Sequence, residues 1–469
     1  MQYPWALILP HIVLAGAAFL VFCIGALLPR IPRRLPFVLS LAASGAAGLV
    51  PFLSHHPAAS SGLIDGSGFG VFFQVLICLT TFLVLLFTGT YARARNFERD
   101  ELYAPILLAA LGMILLSGAR DWIVLFIGLE MLSIGLYVLI AVRPDLPGSM
   151  EGAVKYFVLG AVASAFLLFG VGLLYAATGE TGVAASVGQT PDGILLLGLA
   201  FVLVGLGFKL SLAPFHLWTP DVYQGAPAPL TGFLATGSKV AAIAALLRMI
   251  LAASPETMAA LAPALWVLAA LTMVAANIAA LTQQRLKRML GYSSAAHMGY
   301  MLMALLAVPA VGPEPVMFYA AVYVGMDLGA FGALAMLSPP GPDLDDSSEL
   351  CSVGYSRPWP AAVFGVSLLA LAGLPPTAGF MGKLLLFRAA LEGGYSVLAG
   401  LGMLTVAVAA YYYLRPLTLL YASGPGRRPP AVRISPAGHC ALALALLGLL
   451  ALGIAPAPLL NAVGAIALP

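Results

Sequence analysis

The chain has 469 residues, of which 22 are Lys or Arg and 19 are Asp or Glu; charged residues make up 9% and hydrophobic residues 61%. A soluble domain carries about a quarter charged residues, so this composition excludes a soluble globular protein, a disordered chain and a collagen. The net charge of +3 is too small and too scattered to indicate nucleic acid as a partner, which leaves an all-α integral membrane protein in a lipid bilayer. The 50 glycines and 35 prolines agree with that class, since membrane helices tolerate both better than soluble helices do.

A helix crossing the hydrocarbon core needs about 20 apolar residues. That window predicts spans at 6–28, 35–53, 68–90, 102–119, 121–142, 152–178, 193–213, 229–252, 258–283, 290–309, 315–337, 359–391, 396–420 and 438–460, about 14 in all. The opening MQYPWALIL lacks the charged region and cleavage site of a removed signal peptide, so the first run is expected to stay as a span. Roughly 339–358 (GPDLDDSSEL and its neighbours) is the longest polar stretch, and no soluble domain is inserted.

Lys and Arg gather in loops on the cytoplasmic side. With the N-terminus outside and the spans alternating, the inward loops hold Arg30, Arg33, Arg34, Arg93, Arg95, Arg99, Arg143, Lys155, Arg285, Lys287, Arg288, Arg357, Arg415, Arg427, Arg428 and Arg433. The outward loops hold Arg120, Arg248 and Arg388. A miscounted span would scramble this bias. Trp5, Trp122, Trp218 and Trp359 sit near span ends, where an interfacial belt is expected.

Proline removes a backbone donor and clashes with the preceding turn. The seventh span ends KLSLAPFHLWTPDVYQGAPAPLTGF, with Pro214, Pro220, Pro227 and Pro229, and the twelfth contains LAGLPPTAGFMGK, with Pro375 and Pro376. Both spans are therefore expected to be broken helices, which membranes accept only around a protein-enclosed polar cavity. Two interruptions five spans apart are the pattern of an inverted repeat, because an odd number of spans reverses the second copy. The echo of PLTGF (229–233) in PTAGF (376–380) fits that reading.

Against this apolar background four charges lie inside spans: Glu130, Lys209, Lys239 and Lys383. A charge at the bilayer centre costs about 2.5–3.5 kcal/mol on insertion scales, and such groups mark ion and proton pathways. The alternatives are snorkelling and a static ion pair; snorkelling suits Glu130 and Lys239 badly because both are mid-span. Lysine can lose its proton when desolvated and regain it when a carboxylate approaches, which arginine cannot do. Glu130, Ser133 and Tyr137 form one polar stripe, and so do Ser293, His297 and Tyr300. His216, just past the first break, and His297 can relay protons near neutrality, or serve as satisfied structural hydrogen bonders. Asp327, with Tyr319 and Tyr323 on its face, is either an extra carrier or a tyrosine-bonded structural acid. For Asp221, Arg143, Lys155 and Arg248, near span ends, a solvated or interfacial place is expected.

Cys23, Cys78, Cys351 and Cys440 form no CxxC pair, and the six histidines form no HxxxH. Iron–sulfur clusters and structural zinc need converging thiolates or imidazoles, and no Walker loop or strand-borne GxGxxG offers a nucleotide site. No cofactor or metal is expected in this chain.

The segment KLSLAPFHLWTPDVYQGAPAPLTGFLATGSK, the run QQRLKRMLGYSSAAHMGY and the break LAGLPPTAGFMGK resemble the antiporter-like subunits of respiratory complex I and of multisubunit cation/proton antiporters, across essentially the whole chain. Within that family the sequence is most similar to the subunit N branch of NADH–quinone oxidoreductase, the counterpart of mitochondrial subunit 2. It ends after the fourteenth span, without the lateral helix expected of subunit L, and carries Lys383 where subunit M is expected to carry a glutamate. The resemblance implies an N-terminal three-helix segment (1–90), two inverted five-helix bundles (102–252, helices 4–8, and 258–420, helices 9–13) and a C-terminal helix (438–460). It implies Glu130 and Lys209 as a coupling pair, Lys239 as central and Lys383 as terminal proton carrier, with His216 and His297 bridging; no role for Asp327 follows from it. It further implies membrane-arm partner subunits, with NADH, FMN, iron–sulfur clusters and quinone bound by partners, and a bacterial inner membrane with the N-terminus on the periplasmic side. A multisubunit cation/proton antiporter or a membrane-bound hydrogenase complex would use the same Lys/Glu set.

Overall fold

The computed structural model describes residues 5–27, 34–53, 62–95, 97–98, 102–422 and 434–466. Arg30, Arg33, Arg99, Arg427, Arg428 and Arg433 of the inward charge cluster lie outside them. Among the described residues the secondary structure is helical, with three isolated β-bridges between loops and no strand.

The helices run α1 Trp5–Leu27, α2 Arg34–Leu53, α3 Gly68–Ala94, α4 Tyr103–Gly118, α5 Trp122–Ile140 and α6 Pro147–Thr178. A short α7, Val183–Val187, precedes α8, Gly193–Lys209, and α9, Thr219–Gly225. Then come α10 Ala228–Ala252, α11 Pro255–Leu281, α12 Leu286–Val311 and α13 Glu314–Leu337. After a polar loop holding the short α14, Val353–Ser356, follow α15 Pro358–Ala372, α16 Ala378–Glu392, α17 Ser396–Tyr421, α18 Pro436–Ile454 and α19 Ala457–Gly464. Eleven of these are long and apolar enough to span a membrane, and α4, α8 and α15 are shorter apolar helices; together they match the fourteen spans read from sequence.

Local chemistry sets the ends. Asp121 caps α5 by accepting from the Ile123 N–H at 2.8 Å, and Asp192 caps α8 through the Leu195 N–H at 2.7 Å; both satisfy donors that a helix leaves orphaned at its start. The last span stops at Ile454, short of the expected residue 460, because Pro456 cannot continue the ladder and opens α19 instead.

Small residues let helices meet closely, as membrane packing requires. A Cβ at Gly112 on α4 would come within 2.7 Å of the Gly128 carbonyl oxygen on α5. α10, α12 and α13 are buried nearly all round and form the centre, while α1, α2, α6, α11, α17 and α18 bury one face.

Two places differ from the sequence reading. Arg248 is not a solvated outward-loop residue: it lies in the last turns of α10, buried, and donates to Asp65 Oδ2 at 2.8 Å. The 62–67 loop is pinned to the end of α4 by the Asp65 N–H to the Gly118 carbonyl and the Arg120 N–H to the Leu63 carbonyl, which brings the acid to Arg248. Trp122 and Trp218 are also buried rather than in an interfacial belt, and each indole finds a partner, Ser186 Oγ at 3.2 Å and the Phe208 carbonyl at 3.1 Å.

Both expected breaks are present. α8 stops at Lys209, and after nine intervening residues the chain resumes as α9; α15 stops at Ala372 and resumes as α16 after Gly373–Thr377. Of the four prolines in the first interruption only Pro214 sits in the break. Pro220 and Pro229 occupy first-turn positions of α9 and α10, where a missing N–H costs nothing. Ala213–Pro214 and Pro375–Pro376 are cis peptides.

Candidate functional site

The breaks expose backbone groups that must be paired inside the bundle. At the first, Ser211 adopts a left-handed φ of 58°, and the Leu212 N–H returns to the Gly207 carbonyl at 2.8 Å, the closing bond of a Schellman-type end. The Ala213 N–H donates to Thr272 Oγ1 on α11 at 2.9 Å, and the Trp218 indole takes the Phe208 carbonyl. At the second, the Leu374 N–H returns to the Leu369 carbonyl at 3.0 Å. There the free carbonyls of Leu371 and Ala372 are taken by Lys383 Nζ, at 2.7 and 3.2 Å.

Lys383 reaches those carbonyls because Gly373 has no side chain: at its φ of +84°, a Cβ would lie 2.8 Å from Lys383 Cδ. An ammonium beside the C-terminal carbonyls of α15 also sits where the helix dipole favours a cation.

Lys209 ends α8 and is buried; its Nζ donates to the Tyr156 hydroxyl on α6 at 3.0 Å and lies 4.8 Å from the centre of that ring. Tyr156 is held by Trp218, with ring centres 4.6 Å apart. Glu130, on α5, is half-buried and accepts from the Ser164 hydroxyl on α6. Glu130 and Lys209 are not in ion-pair contact among the described residues. Ser133, on the same stripe as Glu130, donates to the Leu129 carbonyl rather than to the acid.

Lys239, on α10, is fully buried; its Nζ donates to Ser294 Oγ on α12 at 2.7 Å and faces the Tyr223 ring at 5.7 Å. One turn further along α12, His297 Nδ1 meets the Tyr319 hydroxyl at 2.5 Å and Nε2 meets that of Tyr413 at 3.1 Å. Tyr413 also pairs with Ser293. The Tyr300 ring lies 5.8 Å from that of His297 and 5.5 Å from Lys383 Nζ, so His297 stands between the central and terminal amines. His216 is half-buried in the first break, its ring 6.3 Å from that of Tyr292, and its Nδ1 has no hydrogen-bond partner. Asp327 is fully buried on α13 and accepts from the Tyr323 hydroxyl at 2.7 Å.

A polar cavity of about 500 Å³ opens at the ends of α6, α9 and α12, lined by Glu151, Asp221, Gln224, Arg285, Lys287, Arg288, Asp343 and Asp345 among others. Asp221 bridges Lys155 at 2.7 Å and Arg288 at 2.5 Å on its rim. Beneath it Asp343 pairs with Lys287 at 3.0 Å and accepts from the Tyr91 hydroxyl at 2.6 Å. Burial alone would raise the Asp343 carboxyl, but Lys287 and Arg95 outweigh it and hold the group below its ordinary value.

Tyr156, Ser164, Ser294, Tyr413 and Gly373 were not singled out from sequence. Ser294 could have been, since it stands three residues before His297 in GYSSAAHMGY; Tyr156 and Ser164 gain their place only through the packing of α6 on α5 and α8.

Among the described residues three buried lysines have no ion-pair partner, two of them at helix breaks in a fourteen-span bundle, an arrangement that fits a membrane protein of the antiporter-like class. Residues 119–409 match the transmembrane family of NADH:quinone oxidoreductases and Mrp antiporters. NADH-quinone oxidoreductase subunit N 1 of Solidesulfovibrio magneticus is 46% identical over 97% of both chains, and subunit N of Geobacter metallireducens 42% identical over 98% of both. A chain of respiratory complex I from Thermus thermophilus superposes with a TM-score of 0.84 at 36% identity, covering 97% of this chain and 99% of that one. A chain of the Mrp complex from Dietzia also gives 0.84, at 21% identity and 97% coverage of this chain, a likeness of fold alone. The chain belongs to the subunit N family of NADH-quinone oxidoreductase.

Proposed function

We propose that this chain is a proton-translocating subunit of the membrane arm of an NADH:quinone oxidoreductase, driven by electron transfer in partner subunits. The observation that carries this reading is the burial of Lys209, Lys239 and Lys383, each held by neutral oxygen acceptors instead of a carboxylate. A permanently charged, unpaired lysine at membrane depth is costly; an amine that binds and releases a proton carries that cost only in transit.

In this reading the 102–252 and 258–420 bundles are the two halves of the route, flanked by the 1–90 and 438–460 segments. Glu130 approaches or leaves Lys209 as partners change state, altering its hold on a proton through their Coulomb interaction. Lys239 receives the proton, His297 with its two tyrosines passes it on, and Lys383 releases it; His216, with a free ring nitrogen, bridges at the first break. The polar cavity beside Asp221 supplies protons from the inner face. NADH, FMN, iron–sulfur clusters and quinone belong to partner subunits, whose redox chemistry supplies about 2.3 kcal/mol per charge per 100 mV of opposing potential. The membrane is the bacterial inner membrane, with the N-terminus on the periplasmic side.

Purification in mild detergent tests the assignment. Flavin- and cluster-bearing subunits with NADH:quinone reductase activity should accompany the chain; a cluster-free assembly that exchanges cations for protons would contradict it.

A further inference from the structure

Asp327 is the one buried acid of the central bundle that the proposed route leaves unused. It is fully buried on α13, its Oδ2 accepts one hydrogen bond, and its Oδ1 has no partner among the described residues. A single phenol does not compensate an ionised carboxylate in a dry interior, so the acid is either protonated or balanced by a cation. Lys239 is the cation connected to it by hydrogen bonds.

The two are joined by hydroxyls in one direction. Lys239 Nζ donates to Ser294 Oγ at 2.7 Å, Ser294 and Tyr323 pair at 2.7 Å, and Tyr323 donates to Asp327 Oδ2 at 2.7 Å. The Tyr323 hydroxyl also lies 3.0 Å from the Ala235 carbonyl, one turn before Lys239 on the same helix, which fixes it between the two charges. His297 is beside Tyr323 but both its nitrogens are engaged by other tyrosines.

We propose that Asp327 is a proton carrier of this chain, exchanging a proton with Lys239 through the hydroxyls of Ser294 and Tyr323. The exchange rests on reading Lys239 as a proton carrier. One proton leaves the Lys239 ammonium for Ser294 Oγ as the Ser294 proton passes to Tyr323 and the Tyr323 proton to Asp327 Oδ2. One N–H and two O–H bonds break, three O–H bonds form, and no electron moves. Two opposite charges separated by two hydroxyls become a neutral amine and a neutral acid, so the two groups together carry no net charge in either state. Asp327 thereby stores the proton while Lys239 is free to accept the next one.

The test uses the assembled complex in proteoliposomes. Asp327→Asn is expected to lower the rate of proton pumping roughly a hundredfold or more, the scale of losing a positioned proton-transfer group, and Asp327→Glu to restore most of it. Tyr323→Phe, which breaks the relay and leaves both charges, should give a comparable loss and serves if Asp327→Asn fails to assemble. Infrared difference spectra between oxidised and NADH-reduced complex should contain a protonated-carboxyl band that Asp327→Asn abolishes, which a structural acid would not produce. Normal pumping in assembled Asp327→Asn or Tyr323→Phe, or no such band, overturns the inference. Lys239→Ala separates the two levels: if it pumps normally the proposed function fails, whereas if it is inactive and Asp327→Asn is not, this inference alone fails.

Discussion

The two helix breaks solve one problem with different donors. At the first, a neutral indole takes the free carbonyl of α8, and the amine of Lys209 turns instead to a phenol, with Glu130 nearby but not in contact. At the second, the amine of Lys383 is itself the donor to the carbonyls of α15, and no acid pairs with it among the described residues. The first amine thus has a neutral phenol as its partner and a carboxylate near but not in contact, and the second is held by a fixed helix end. In the proposed route the first lysine is the one a carboxylate could switch, and the second responds only to what reaches it.

That contrast can be broken by substitution. Lys383→Met should destabilise the assembled subunit more than Lys209→Met, by about 1–3 kcal/mol, because it orphans buried carbonyls where Lys209→Met frees only a hydroxyl. Thermal inactivation midpoints of the two variants measure the difference, and equal values would erase the distinction. Gly373→Ala should cost about 1 kcal/mol for its left-handed backbone and displace Lys383 from its carbonyls, lowering pumping. Ser211→Gly, at the matching turn of the first break, should be near neutral in both measurements, since glycine adopts φ of 58° freely. Trp218→Phe should cost about 0.5–1.5 kcal/mol for the lost bond to Phe208, without changing Lys383.

The smallest effect belongs to the loop under the inner cavity. Asp343 is held below the ordinary carboxylate value of 3.8 by Lys287 and Arg95 against the opposing effect of burial. Its contribution is therefore complete above about pH 4 and fades as the pH falls through the lowered value. Hydrogen-exchange protection factors of 339–346, taken against the intrinsic rate at each pH, should be flat from neutrality to about pH 4 and fall only below it; Asp343→Asn should lower them at neutral pH.

Much of this was legible in the residues. The spans, both breaks and the four intramembrane charges follow from hydropathy and proline, because lipid leaves few structures possible. The hydrogen-bond partners of those charges do not follow: in this structure Glu130 rests on Ser164 and Lys209 on Tyr156. Serine and tyrosine are unremarkable in a helix until a neighbouring helix presents a charge to them. Arg248 misled for the same reason, since only the folded 62–67 loop reveals that Asp65 covers it. Gly373 was hidden among the 50 glycines, its role fixed by the path of a side chain ten residues away.

The most direct measurement is the number of protons pumped per NADH oxidised by the assembled complex carrying Lys239→Ala, compared with the unaltered complex. A lower number, with the partner subunits still present and still reducing an artificial electron acceptor, is expected if this amine hands on protons. An unchanged number would mean that the protons take another way through the membrane.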